Sequence, residues 1–326
     1  MQAMVYTQYG GPDVLRQLDV PKPAPKENQI LIRVHACALN DWDLGLLKGD
    51  FVNRCINGFL RPKKYSVIGS DIAGIVEEIG AEVKTLKPGD RVFGDLCEQG
   101  FGGLAEYVCV NEGGVALMPK AMSFIQAATI PQSGVLATQA LIDAGKVKPG
   151  QKVLINGAGG AAGTLAIQFL KDMDVEVTGV DSRIKLGKMR ELGFDHVIDY
   201  IQEDFTANDK RYDLIVDAKT NRSPFRYLKV LAPKGIYVTI GGQILRLAQF
   251  ALLAPLINKF SSKQLKIVTL KPNKDLAFYN NLFEAGKLQP FIDGPYPLEQ
   301  VSAAFERYLQ NSQIGKIVIT VRDEIT

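Results

Sequence analysis

One run constrains this chain more than any other: residues 152–164, KVLINGAGGAAGT. A branched apolar stretch ends at Asn156. Glycines follow at 157, 159, 160 and 163, and an alanine-rich helical pattern begins there. Glycine permits the sharp strand-to-helix turn and lets backbone amides come close to a diphosphate, which then meets the positive end of the helix. No Gly-Lys-Ser or Gly-Lys-Thr closes the loop, so a nucleoside-triphosphate phosphate loop is excluded. The spacing departs from a strict Gly-x-Gly-x-x-Gly: counted from Gly157, Ala162 holds the third place. Every residue at these places is small. The expected cofactor cradle is therefore Gly159, Gly160, Ala161, Ala162 and Gly163, and the competing reading is a tight turn with close helix packing.

The surroundings agree with that loop. Short apolar runs at 152–156, 175–180, 196–199, 214–217 and 237–240 read as strands. Helical patterns at 163–172 and 183–192 separate the first of them. Such alternation predicts βαβ units: a doubly wound parallel sheet with helices on both faces. The first 120 or so residues differ, with short β-rich runs such as 29–34 and 103–110 punctuated by many glycines, which predicts a β-rich, barrel-like domain. The pattern changes near Ser123. After Lys271 come a helix at 276–285, an amphipathic helix at 298–310 and a strand at 316–321. The simplest organisation of these 326 residues is a β-rich domain, 1–122, interrupted by a nucleotide domain, 123–270, with 271–326 returning to the first.

The second strand-to-helix turn bears on the choice of cofactor. Asp181 suits a ribose 2′-hydroxyl and NAD, whereas Ser182, Arg183 and Lys185 suit a 2′-phosphate and NADP. The hydroxyl and two cations favour NADP. Alternatively, Asp181 ends its strand or caps the next helix, and Arg183 and Lys185 form a solvated helix face.

Composition removes other classes. Net charge is only +3, with no basic run interleaved with aromatics, so no nucleic-acid partner is expected. The four cysteines, 37, 55, 97 and 109, form no Cys-x-x-Cys pair. They read as free thiols in a reducing compartment, and residues 1–11 show no secretory pattern, so a cytoplasmic location is expected. No uncharged apolar stretch is long enough to span a bilayer. Residues 244–260 (ILRLAQFALLAPLINKF) are unusually apolar and read as a helix covering an acceptor cleft or a dimer surface, with membrane contact the lesser alternative.

Taken together, the segments 68–74 (IGSDIAG), 87–94 (KPGDRVFG), 103–107 (GLAEY), 147–150 (VKPG), 153–163, 195–200 (DHVIDY) and 315–318 (GKIV) resemble the medium-chain dehydrogenase/reductase superfamily. The likeness is to its zinc-free quinone oxidoreductase (zeta-crystallin-like) branch, over essentially the whole chain. The resemblance implies a GroES-like substrate domain interrupted by a Rossmann domain, NADPH held between them, and reduction of quinones or of the carbon–carbon double bond of α,β-unsaturated carbonyls. It also implies a homodimer, a cleft residue at Asn40, Tyr200 beside the ribose or adenine, and Gly241 and Gly242 near the nicotinamide. Ser133, and less so Thr129, are candidate donors to phosphate or carboxamide. Two departures stand out: Ala161 and Ala162 alter the usual glycine-valine pair of the loop, and a tyrosine expected a few residues after Asn40 is replaced by Gly45.

Zinc-dependent relatives need a thiolate and a histidine where this chain has Leu39 and Ser70. Neither histidine, His35 or His196, neighbours a second ligand, and the dispersed cysteines cannot make a close-spaced structural site, so no metal is expected. Hydride transfer without zinc leaves the growing charge on the acceptor oxygen to protein hydrogen-bond donors, and Asn40 is the first candidate. Its bland alternative is a turn residue, with Asp41 and Asp43 capping or bridging turns. No Ser-His-Asp or Cys-His arrangement suggests nucleophilic catalysis. The expected activity is an NADPH-dependent, zinc-independent oxidoreductase acting on a quinone or conjugated enone. The rivals are an alcohol dehydrogenase-type activity and a non-catalytic NADP-binding sensor or partner-binding protein.

Overall fold

The computed structural model describes residues 1–322. It divides into two units, one from Met1–Gln132 joined by the chain from Pro272 onward, the other Ser133–Lys271. The residues 323–326 that end the returning segment lie outside the described residues.

In the first unit, β1 (Gln2–Val5) pairs antiparallel with β2 (Arg16–Asp19). The backbone of the unit is β3 (Gln29–Ala38), buried along almost its whole length. After it come α1 (Asp41–Lys48), α2 (Phe51–Asn57), β4 (Asp71–Ile79), β5 (Arg91–Asp95), β6 (Tyr107–Asn111), β7 (Ala116–Leu117) and α3 (Phe124–Ala128). β4 pairs antiparallel with both β3 and β5, and β6 also pairs with β3. The β3–β4 register slips twice, between Leu31 and Ile32 and between Val34 and Ala36, so both strands bend there. Gly74 makes the second slip feasible: a Cβ on it would lie 2.2 Å from the Arg33 carbonyl oxygen. The two helices after Asn40 were not legible in the sequence, which reads as a turn there.

The second unit opens within α4 (Pro131–Thr138) and runs β8 (Lys152–Asn156), α5 (Ala161–Leu170), β9 (Glu176–Asp181), α6 (Arg183–Leu192), β10 (His196–Asp199), β11 (Tyr212–Asp217), α7 (Pro224–Val230), β12 (Leu231–Thr239), α8 (Ile244–Phe260) and β13 (Gln264–Ile267). Pro131 starts α4, where its missing amide hydrogen costs nothing. The sheet order is β10-β9-β8-β11-β12-β13, parallel throughout. Both faces are covered, as a parallel sheet requires: Val153, Ile155, Leu214 and Val216 pack into one apolar cluster, while the intervening Leu154 and Ile215 pack into another.

α8 is the apolar stretch 244–260. It buries Phe250 and Ala254 but leaves Leu245, Leu252 and Phe260 largely exposed, and Pro255 lies inside it. Among the described residues no helix is long and apolar enough to cross a membrane.

The tail supplies α9 (Leu276–Glu284), β14 (Ile292–Pro297), α10 (Val301–Leu309) and β15 (Lys316–Thr320). β15 pairs with β3 in antiparallel register, Val318 opposite Ala38, so it extends the first unit's seven-stranded sheet. β1, β2, β13 and β14 escaped the sequence reading because they are four- to six-residue strands with little alternation.

Candidate active site

In the nucleotide unit the chemistry gathers at the carboxyl ends of the parallel strands, where an open α/β sheet binds ligands. Asn156 ends β8 and Asp217 ends β11, directly opposite in register. The Asn156 side-chain amide donates to Asp217 Oδ1 at 2.8 Å. Asp217 also accepts from the backbone of Lys219 and Thr220 and from the Tyr237 hydroxyl. Its charge, together with burial, pushes the hydroxyls of Tyr227 and Tyr237 upward, burial being the larger cause in both. These knots hold the strand ends in fixed relative positions.

Between them runs the glycine loop. Gly157 has φ +88°, and its amide and that of Ala158 both donate to Val180 O, tying the loop to β9. Gly160 caps α5 with no side-chain partner, so the first amides of that helix, from Ala161 to Gly163, carry no intrahelical bond. A Cβ on Gly163 would lie 2.4 Å from Ala158 O, which seats α5 tightly against the loop. A Cβ on Gly160 meets only Gly157 O, at 3.3 Å, so that face of the loop is open. Ala161 and Ala162 form the first turn of α5, where an alanine is tolerated.

Asp181, at the end of β9, is buried and accepts from the Gly159 amide at 2.9 Å and from the Ser182 amide at 2.8 Å. Lys185 is only 2% exposed, lies against the Cα of Gly159 and faces Asp181 Oδ1 at 3.4 Å. The solvated-face reading therefore fails for Lys185, whereas Arg183 is exposed. Ser182 Oγ is buried with no hydrogen-bond partner among the described residues. A buried hydroxyl in this state costs about 1–3 kcal/mol, and its place fits a cofactor ribose or phosphate. Tyr200 donates its amide to Asp181 O and leaves half of its side chain exposed, so it is not packed in the core. Gly242 has φ +136°, and a Cβ there would strike Lys219 O at 2.3 Å. The Gly241 carbonyl accepts from the hydroxyls of Thr220 and Thr239. Ser133 is buried at the start of this unit. Thr129 belongs to the first unit, and its hydroxyl donates to Gln126 O.

The first unit holds a second polar group, built mostly of side chains with a few backbone amides. Asn40 ends the loop after β3 and caps α1. Its amide NH donates to Asp43 Oδ2, and the Gly69 amide donates to Asp43 Oδ1. Its side-chain Nδ2 donates to Ser70 Oγ at 2.8 Å, and its Oδ1 accepts from Lys316 Nζ. Lys316 also donates to Asp71 Oδ2 at 2.8 Å. Asp71 Oδ1 accepts from the Gln132 amide, whose side chain reaches Asp95 at 3.5 Å. All these groups are at least nine-tenths buried. Burial drives the Asp43 carboxyl up to about 7 against the pull of its two backbone donors, and drives Asp95 up to about 6, with the Asp71 charge adding to the rise.

Asp43 thus bridges a turn and also braces Asn40. Gly45, inside α1, stands where a Cβ would meet Asn53 Nδ2 at 2.7 Å. His35 is buried with its ring stacked on Phe124 at 4.3 Å, and Cys37 is buried with its thiol pushed up by desolvation. Among the described residues no three His, Cys, Asp or Glu side chains group to hold a metal ion. The residue that sequence reading missed is Lys316. Its one signal is a lysine opening an otherwise apolar strand, and its partners stand more than 240 positions away.

Comparison with known proteins places this architecture. Residues 26–120 match an alcohol dehydrogenase GroES-like domain, and residues 192–319 match a zinc-binding dehydrogenase domain. The 2-methylene-furan-3-one reductase of Solanum lycopersicum is 33% identical, over 98% of this chain and 79% of that protein. A chloroplastic NADPH-dependent alkenal/one oxidoreductase of Arabidopsis thaliana is 33% identical over the same shares. The solved structure of the quinone oxidoreductase from Coxiella burnetii superposes with a TM-score of 0.88 at 29% identity, covering 99% of each chain. A parallel-sheet unit inserted in a GroES-like unit, with a glycine loop at its strand ends, defines a pyridine-nucleotide oxidoreductase. This chain belongs to the medium-chain dehydrogenase/reductase superfamily, in its quinone oxidoreductase branch.

Proposed function

We propose that this protein transfers hydride from NADPH to a quinone or to the carbon–carbon double bond of an α,β-unsaturated carbonyl, without a metal. The observation that carries the reading is the buried Asn40 carboxamide, backed by the Lys316 ammonium. Activities named for two relatives, a 2-methylene-furan-3-one reductase and an NADPH-dependent alkenal/one oxidoreductase, support it.

When bound, the reduced nicotinamide supplies the hydride. The free amides of residues 161–163 hold the diphosphate at the positive end of α5. The Ser182 hydroxyl and the exposed Arg183 guanidinium bind the 2′-phosphate, with Lys185 and Asp181 bracing the loop beneath. Tyr200 would serve the ribose or adenine, Ser133 would donate to phosphate or carboxamide, and the backbone at Gly241 and Gly242 would serve the nicotinamide. Asn40 Nδ2 donates to the acceptor oxygen, and that bond strengthens as the oxygen gains charge, in surroundings that exclude water. With glycine at 45 offering no hydroxyl, the proton comes from solvent or a polar relay.

The donor set suits this chemistry and not zinc: Leu39 has no donor atom, and an ammonium such as Lys316 offers only hydrogens. A homodimeric, cytoplasmic protein completes the proposal, the four free cysteines according with a reducing compartment.

The test is oxidation of NADPH and of NADH against enals, enones, ortho-quinones and para-quinones, with and without a chelator. NADPH oxidation with at least one acceptor class, indifferent to chelator, is expected. No turnover across the panel, or its loss to chelator, overturns the proposal.

A further inference from the structure

We propose that Lys316, charge-balanced by Asp71, is a positioning residue that decides which end of the Asn40 carboxamide meets the substrate. This rests on the reaction proposed above. A carboxamide has two nearly isosteric ends, one accepting and one donating, and a half-turn about its last torsion exchanges them. Only one orientation polarises a substrate carbonyl. An ammonium has no lone pair, so Lys316 Nζ tolerates only Oδ1 against it. That fixes Nδ2 toward Ser70, whose Oγ takes one of its two hydrogens at 2.8 Å. The second hydrogen is the donor for the substrate oxygen. The ammonium on Oδ1 also polarises the amide, which makes that hydrogen a stronger donor.

The placement is specific to the fold. Gly315, φ +75°, turns the chain into β15 so close to Phe291 that a Cβ would lie 2.3 Å from its carbonyl oxygen. Lys316 is the first residue of β15, and Ile317, Val318 and Ile319 after it are fully buried. Leu39, the neighbour of Asn40, donates its amide to Ile317 O at 3.0 Å, which brings the two segments together. A buried ion pair is poor value for stability when apolar side chains would fill the same strand. Its retention here is explained by what it does to Asn40.

The experiment begins with wild-type turnover on the acceptor panel. Its absence sinks the reaction proposal, while the spectroscopic readout of Asn40 still judges the clamp. Given turnover, the paired variant Lys316→Met/Asp71→Asn removes both charges together and leaves no lone buried ion. We expect kcat to fall by about thirtyfold while the Kd for NADPH stays within about twofold, as for a lost transition-state interaction. In an Asn40→Ala background the same pair changes kcat by less than about twofold, because residues acting as a unit are not additive. Losses that multiply in that background overturn the proposal, as does an unchanged kcat in the paired variant. The spectroscopic readout needs only stable protein. The side-chain ¹H–¹⁵N signals of Asn40, identified by their disappearance in Asn40→Ala, are expected outside the range of solvent-exposed asparagines in the wild type. Signals within that range overturn the clamp.

Discussion

The two polar centres of this molecule are built by opposite means. The centre at the strand ends of the nucleotide unit is mostly backbone: free helix amides, a loop of small residues, and strand ends knotted within one domain. The centre of the GroES-like unit is mostly side chain, a buried chain of amide, hydroxyl, ammonium and carboxylate drawn from 40, 70, 316 and 71. The first is suited to an anion common to many enzymes, because backbone amides are indifferent to neighbouring sequence. The second can be retuned one residue at a time, which suits the proposed contact with the acceptor.

That contrast can be broken by experiment. Gly163→Val, which forces a Cβ onto Ala158 O, should weaken NADPH binding by about a thousandfold, or about 4 kcal/mol, in calorimetry. Retained affinity would mean that the loop is not the anchor. Asn40→Ala should leave that affinity alone and lower kcat on the order of a hundredfold, the size seen when one oxyanion donor is removed. A matching loss of cofactor affinity would merge the two centres into one. Arg183→Ala should raise the Michaelis constant for NADPH roughly twentyfold, in the range of one charge-assisted hydrogen bond, with NADH unaffected. Equal changes for both cofactors remove Arg183 as the phosphate reader.

The smallest effect is on stability. Asp43 titrates at about 7 in the folded protein against 3.8 unfolded. The folded state therefore holds the extra proton, and stability falls as pH climbs through that window and levels off above it. Between pH 6 and pH 8 the loss is about 1.4 kcal/mol, or about 3 °C in Tm, read by calorimetry. Asp95, near 6, adds its share mainly below that range. Asp43→Asn should flatten the slope. An unchanged slope would mean that Asp43 is ionised in the fold.

Legibility in the sequence divides the same way. Glycine spacing, strand–helix alternation and the acid–hydroxyl–cation turn at 181–185 are local patterns, and each lies within one or two elements. Helix α6 was readable to its ends because Ser182 precedes it and Gly193 closes it in the left-handed region. Lys185 was legible as a cation but not as a buried one, since burial depends on how Gly159 and Asp181 meet it. Lys316 was invisible as a functional group: no window of sequence holds it together with Asn40. α1 was lost because Asn40, Asp41 and Asp43 read as turn formers, and here they open a helix.

Gly45 leaves room for the next helix to lie close. A Cβ there would meet Asn53 Nδ2 at 2.7 Å and Asp50 Oδ2 at 3.4 Å, so a larger residue at 45 is admitted only as those two side-chain ends swing aside, and a smaller residue at 53 would ease its entry.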